Sequence, residues 1–324
     1  MILSVGDHTG MRTVNNEEWH RHSCLRIFLV LLLAGVPLTA WGGEGGSQRL
    51  QSQYQELRDL ARHGPFGVPL SVQSEVRDDQ VTAEVHGIIE HPFEEVMAAL
   101  STPASWCEFA PLHANVKACT FQPQSHDTLL TLYVGRRYYQ SPQNASSQPY
   151  QFAVHTAQPG SLSVALSAPK GLFGTTAHRL QLEAAGIDGR TVVALRSSYV
   201  PSVLTRIMTA IYLTTVGRNK VGFSREDADL AASPQYVKGF RGLIERNAMR
   251  YYLAFEAFLD MQSVPAAHRF EACINAVYDL MERYPRQLHE MEKVEYLDAK
   301  RRERENQRQL QQELDVAGLR PMDR

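Results

Sequence analysis

Apolar and polar residues alternate along two regions of the chain, a pattern typical of β-strands. Residues 70–76 and 80–90 alternate on either side of Asp78 and Asp79, which predicts a hairpin. Across 115–200 further alternating runs are separated by clusters of Pro, Gly, Asn and Ser, and the last two turn at 186–189. Short turns between successive strands predict an antiparallel meander.

Helical spacing replaces this alternation elsewhere in the chain. Pro92 begins a short helix, and Pro103 is expected to end it before a loop through Trp106 and Cys107. The remaining helical patterns cover 48–62, 203–216, about 235–260 (rich in Phe and Tyr), the residues after Pro265, and a highly charged stretch from about 286 to 314.

The N-terminus carries an apolar run over 27–40 that follows Arg21 and Arg26. At roughly 14 residues it is short for a membrane span and suits the core of a signal peptide. We therefore expect a periplasmic or secreted protein; the alternative is an uncleaved membrane anchor. The predicted segments are a signal peptide at 1–42, a spacer with a short helix at 43–67, a main domain at 68–260 and a charged helical extension at 261–324.

An exported protein can form disulfides between its cysteines, because disulfides persist in oxidising compartments. Cys107 and Cys119 are twelve positions apart and are predicted to form a disulfide; the alternative is two buried free thiols. Cys273, on an apolar helix face, is expected to be a buried thiol.

Composition and charge exclude some classes of function but do not identify one. The net charge of −2 argues against nucleic acid as the main partner, since phosphate binding needs a basic face. The stretch HEMEK at 289–293 has Lys293 where a zinc-protease helix needs its second His, so no metal site is predicted. No nucleotide loop or nucleophile motif occurs, and neither cofactor nor catalytic residue is assigned.

The order of elements resembles that of a known superfamily. A strand that leads directly into a Pro-Phe-Glu-Glu helix, in TAEVHGIIEHPFEEVMAALSTPASWCEF, is followed by the meander and by the long helix around ERNAMRYYLAFEAFL. This order resembles the START-like helix-grip superfamily, the polyketide cyclase/Bet v 1-like group, over residues 68–260. The resemblance implies an α+β fold in which a curved antiparallel sheet wraps a long C-terminal helix, here with extra C-terminal helices. It also implies a gap between helix and sheet for a lipid or another apolar molecule.

Two sets of residues are candidates to line that gap. The long helix supplies Phe240, Ile244, Tyr251, Phe255 and Phe258, although the same residues would equally fill an ordinary core. A strand extended through 127–140 would place three side chains on one face, where the central Arg orients a carboxylate or phosphate head group: Tyr133, Arg137 and Tyr139. An exposed cationic strand is the alternative.

Charged residues on the helices give two further expectations. Glu245, Arg246 and Arg250 are expected to form a surface network. The apolar face over 203–216, followed by Arg218 and Lys220, favours either contact with an anionic membrane surface or packing on the mouth of the sheet.

Three functions remain open at this level. The first is an exported protein that binds or transfers a lipid or other apolar molecule. The second is a cyclase- or hydrolase-like enzyme that uses the same pocket. The third is a protein that docks a partner through its helices at 265–314.

Overall fold

The computed structural model describes residues 44–124, 128–215, 217–226 and 235–318; the signal peptide predicted at 1–42 lies outside them. The strands in this part of the chain are β1 (Leu70–Arg77), β2 (Gln80–Ile89), β3 (Val116–Pro123), β4 (Thr128–Val134), β5 (Ser146–Gln158), β6 (Ser161–Lys170), β7 (Thr176–Ile187) and β8 (Arg190–Val200). The helices are α1 (Glu44–His63), α2 (Phe93–Leu100), α3 (Pro103–Phe109), α4 (Val203–Thr214), α5 (Gly239–Asp260), α6 (Ala266–Met281), α7 (Pro285–Leu288) and α8 (Lys293–Gly318).

The strands form one open antiparallel sheet in the order β1-β2-β8-β7-β6-β5-β4-β3. Strands β3 to β8 make the predicted meander, and β8 then pairs with β2, which joins the first hairpin to the last strand. With α5 packed across β1 and β2, this is the helix-grip fold class expected from the sequence. On the other face of the sheet, α1 buries Leu50 and Leu57 against Ile88 and Val192.

Both predicted hairpins form, and their turns consist of residues that tolerate positive φ. Asp78 and Asp79 have φ of 48° and 67°, and Asp188 and Gly189 have φ of 52° and 76°. Two successive residues in the left-handed region make a turn whose twist matches that of the flanking strands. Asp and Gly are residues that tolerate this conformation, so the register of both hairpins follows from local sequence.

The contact between α5 and the sheet is closest at Gly87 on β2. A Cβ at this position would lie 2.1 Å from the hydroxyl oxygen of Tyr252, which is buried on α5. The absence of a side chain at position 87 therefore allows α5 to lie this close to the sheet. The helix itself begins at Gly239 rather than near 235, because Tyr236 pairs with Arg225 in an isolated β-bridge.

The loop predicted through Trp106 and Cys107 is wrong, because these residues lie in α3. Pro103 occupies the start of this helix, where a missing N–H costs nothing, and the Thr102 hydroxyl accepts a hydrogen bond from the N–H of Ser105. Cys107 of α3 is disulfide-bonded to Cys119 of β3, with their Cα atoms 4.9 Å apart, as predicted. Cys273 is the expected buried thiol.

The C-terminal helices are packed into the same core as the sheet and α5. Burial of Ile274 and Val277 on α6 and of Tyr296 on α8 joins them to the cluster that contains Phe255. Charged residues of α8 also form ion pairs inside the protein. The Glu303 carboxylate lies 2.7 Å from the ammonium groups of both Lys117 on β3 and Lys300 on α8, and all three side chains are buried.

Helix α8 covers the outer edge of β3 with amide side chains. Gln307 accepts a hydrogen bond from the N–H of Cys119 at 2.8 Å. Gln311 accepts from the N–H of Phe121 at 2.9 Å and donates to its carbonyl oxygen at 3.0 Å. These bonds satisfy backbone groups that an edge strand otherwise leaves unpaired.

Candidate functional site

The aromatic face of α5 fills the space between helix and sheet. Phe255 is fully buried, and the ring of Phe109 lies 5.3 Å from that of Phe255 and 5.9 Å from that of Phe258. Ile244 is buried in the same cluster, and Phe240 and Tyr251 pack against it half-buried. In this structure the five α5 candidates therefore form core rather than the wall of an open cavity.

The second set of candidates is not held on one strand face, so that part of the prediction is wrong. β4 ends at Val134, before Arg137 and Tyr139, and its contact with the neighbouring strand ends with the bond from the N–H of Gly135 to the carbonyl of Asn115. Tyr133 is half-buried on β4, in the position after buried Leu132, and so on the opposite face.

Beyond the strand, the two remaining candidates turn toward the C-terminal segment. Arg137 Nη1 lies 3.4 Å from Oε2 of Glu290. The ring of Tyr139 stacks under the Arg302 guanidinium at 3.6 Å, and its hydroxyl accepts a hydrogen bond from Asn306. Arg137 thus joins a charged site, whereas Tyr139 attaches its loop to α8.

Glu245, Arg246 and Arg250 are buried, contrary to the surface network predicted for them. The Glu245 carboxylate accepts hydrogen bonds from the backbone N–H groups of Phe223 and Ser224 at 2.6 and 3.0 Å. It therefore fixes the segment before α5 onto the helix. These three residues lie on buried faces of α5, whereas Arg241 on the same helix is partly exposed.

Four cations lie around the Glu290 carboxylate beside the middle of α5; we call this group the cationic cluster. It consists of Arg137, Lys220, Arg246 and Arg250 with Glu290. Arg250 Nη2 lies 2.6 Å from Oε1 of Glu290, and Lys220 Nζ lies 3.8 Å from the same oxygen. Four cations against one carboxylate leave this group with a net charge of +3.

Two buried guanidinium atoms in the cluster have no hydrogen-bond partner. They are Nη2 of Arg246 and Nε of Arg250, whose residues are 1 % and 3 % exposed. Arg246 makes one hydrogen bond to the protein backbone, from Nη1 to the carbonyl of Val221 at 3.3 Å. A buried, unpaired donor on a charged group is costly, so these atoms mark a place that an additional acceptor would stabilise.

Burial and mutual repulsion act together on the cluster. Burial lowers the pKa of Arg246, and the neighbouring Arg250 lowers it further. Burial also lowers the pKa of Lys220, against the attraction of Glu290. Since arginine stays protonated under ordinary conditions, the repulsion between Arg246 and Arg250 is not removed by loss of a proton.

Apolar and polar side chains both adjoin the cluster. Beside Arg250 and Glu290 there is a small cavity of about 20 Å³, room for about one water molecule. Its lining is apolar at Ala114, Met281, Leu288 and Met291 and polar at Tyr278, Glu282 and Tyr296. On the other side, the phenol of Tyr212 on α4 interacts with the Arg246 guanidinium, so α4 covers the cluster. A charged group therefore meets apolar side chains beside the middle of the long helix.

Sequence reasoning identified Arg246 and Arg250 as a pair four residues apart but missed Lys220 and Glu290 as their partners. Glu290 lies within the HEMEK stretch, which was judged only as a metal motif. Within the described ranges, no group of three or more His, Cys, Asp or Glu side chains is placed to hold a metal ion. In that same part of the chain, none of the helices has the length and apolar character that crossing a membrane requires.

No protein-family model and no curated protein matches this sequence. Solved structures do match the fold. A STAR-related lipid transfer protein from Xanthomonas axonopodis is 9 % identical, with a TM-score of 0.38 over 59 % of this chain and 93 % of that chain. Human STARD10 is 8 % identical, with a TM-score of 0.31 over 46 % and 65 %. The Zhui aromatase/cyclase from Streptomyces sp. R1128 is 12 % identical, with a TM-score of 0.28 over 64 % and 95 %. At these identities the likeness is one of fold alone.

Proposed function

We propose that the protein binds an apolar molecule that carries an acidic group, and that it is an exported binding or transfer protein. The acidic group, a carboxylate or a phosphate, is held by Arg246 and Arg250. The observation that carries the proposal is the net charge of +3 gathered beside the apolar core, with two buried guanidinium atoms unpaired. Arg is suited to this task because its planar fork matches carboxylate and phosphate oxygens.

Side chains must move for the apolar part of the ligand to enter. The aromatic residues of α5 occupy the space along the helix, and the cavity beside Arg250 holds no more than about one water molecule. Helix α4 is the cover most easily displaced, since Thr209 is its one buried residue. Displacing α4 would uncover Arg246 and the apolar core residues beside it.

The partner-docking alternative has less support from the observed contacts. The buried charges of α8, Lys300 and Glu303, pair with each other and with Lys117 inside the chain. Gln307 and Gln311 are bonded to β3. These polar side chains of α8 thus serve the fold, whereas Arg301, Arg302 and Glu305 on the same helix are exposed.

Binding of dodecyl phosphate, laurate and dodecanol, measured by calorimetry, tests the proposed function. The two anions should bind at least about tenfold more tightly than the neutral alcohol, the size expected for a charge-assisted hydrogen bond. Arg246→Met should remove this preference while leaving the fold intact. Arg241→Met is the matched control on the same helix, because Arg241 donates to Ser74 outside the cluster. Equal binding of all three probes, or an unchanged preference in Arg246→Met, would refute the assignment of the cluster.

A further inference from the structure

The polarity of α4 is inverted relative to that of an ordinary surface helix. A surface helix usually turns its apolar face to the core and its polar face to water. Here Thr209 is buried and Tyr212 is turned to Arg246, whereas the solvent face is apolar. The exposed fractions on that face are 75 % for Val203, 52 % for Leu204, 54 % for Ile207, 44 % for Met208 and 59 % for Ile211.

Phe173 extends this face from a neighbouring connection of the sheet. It lies in the 3-10 turn Leu172–Gly174 between β6 and β7 and is 54 % exposed. Its φ of 56° is in the left-handed region, which is unfavourable for a residue with a large side chain. The hydroxyl of Ser202, the cap of α4, donates to the Phe173 carbonyl at 2.6 Å and holds the turn against the helix. The backbone thus accepts strain in a conformation that displays an aromatic ring to solvent.

Exposed basic residues adjoin this face, together with acids of the β1–β2 turn. Lys170, next to the turn of Phe173, and Arg218, after α4, are exposed. Arg206 on α4 pairs with Asp79 at 2.9 Å, an acid contributed by the β1–β2 turn.

We infer that the apolar face of α4 together with Phe173, the α4–Phe173 surface, docks on an anionic lipid bilayer. An amphipathic helix with an apolar face and adjoining basic residues lies in the interface of such a membrane, and each basic residue near anionic lipid adds to the attraction. Lys170 and Arg218, exposed beside this face, favour anionic lipid as the occupant. This inference concerns a surface and is independent of the ligand site.

Fluorescence quenching by brominated lipids tests which residues enter the membrane. In the full chain, Phe173→Trp should gain a quenched Trp signal, relative to the parent protein, on mixing with brominated phosphatidylcholine–phosphatidylglycerol vesicles. Val294→Trp is the control, because Val294 is 78 % exposed and lies on α8, which is not part of the α4–Phe173 surface. The added Trp at 294 should not be quenched. Quenching at both positions or at neither would overturn the inference.

Sedimentation with the same vesicles tests the affinity. Ile207→Glu combined with Ile211→Glu should lower binding by about tenfold or more, because both the apolar area and the charge match are lost. Val294→Glu should bind like the parent. Vesicles of phosphatidylcholine alone should bind more weakly than those with phosphatidylglycerol. Equal sedimentation of the double variant and the parent would contradict the proposal. So would a dimer, detected by light scattering without lipid, that the double variant abolishes, since the face would then be a self-association surface.

Discussion

The hydroxyl of Tyr252 and the backbone of Gly87 are in direct contact, closer than any residue with a side chain at position 87 would allow. The ring of Tyr252 also lies within 3.0 Å of a Cβ built there, so a small rotation of the side chain does not make room. α5 and β2 are consequently fitted to each other at this point, and the fit is sensitive to a single methyl group.

Gly87→Ala should lower the free energy of unfolding by about 1–3 kcal/mol, the usual cost of overpacking a dense core. Denaturant unfolding of the purified protein measures the change. In a Tyr252→Phe background, the same substitution should cost less, because the nearest atom has been removed. If the cost is the same in both backgrounds, the contact with the hydroxyl is not its cause.

Glu303→Gln should destabilise the protein by about 3–5 kcal/mol, because it leaves Lys117 and Lys300 buried without their counter-charge. Glu305→Gln, exposed on the same helix, is the matched control and should change stability by less than about 0.5 kcal/mol. Both values come from denaturant unfolding at one pH. Similar values for the two variants would mean that the buried group holds together without the carboxylate.

The stability of the protein should depend on pH through Glu256 on α5. Burial, helped by the nearby Asp260, raises the pKa of Glu256 from its ordinary value of 4.5 to about 7, although Arg283 and His91 act in the opposite direction. The folded state therefore keeps a proton that the unfolded state has lost. This contribution to stability is complete below pH 4.5 and is lost as the pH rises through 7.

Glu256→Gln should thus stabilise the protein by about 1–3 kcal/mol at pH 8 and leave it unchanged near pH 4. The nearby His91 also titrates. Burial lowers the pKa of His91, but its hydrogen bonds to Glu95 and Asp260 outweigh this effect, so its pKa is raised. Unfolding of the variant and the parent across this pH range isolates the Glu256 contribution, with Glu94→Gln on α2 as an exposed control. A constant difference between variant and parent at all pH values would exclude it.

Much of the fold could be predicted because its signals are local. The strands alternate, the turns at Asp78 and Asp188 use residues that accept positive φ, and the apolar stripe of α5 has helical spacing. Where the same residue suits two structures, the prediction failed: Pro103 can end one helix or begin the next. Extending β4 to Tyr139 failed because the alternating residues continue beyond the point where the ladder ends.

The cationic cluster could not be assembled from sequence, since its parts come from separate segments. Arg250 and Glu290 are 40 positions apart, and charge alone favours a surface position for both. Burial of Arg246 depends on neighbours before and after α5 that no spacing rule identifies. For the same reason, whether the aromatic residues of α5 fill a core or line a cavity depended on what packs opposite them, chiefly Phe109.

The amide side chains of α8 that bond to β3 have a consequence for the order in which the chain is made. Phe121 and Gln311 are separated by 190 positions. At roughly 5–20 residues per second, a ribosome adds that length in about 10–40 s. Throughout this interval the backbone groups at the outer edge of β3 have no partner from α8 on the growing chain. They are covered only after α8 has been made.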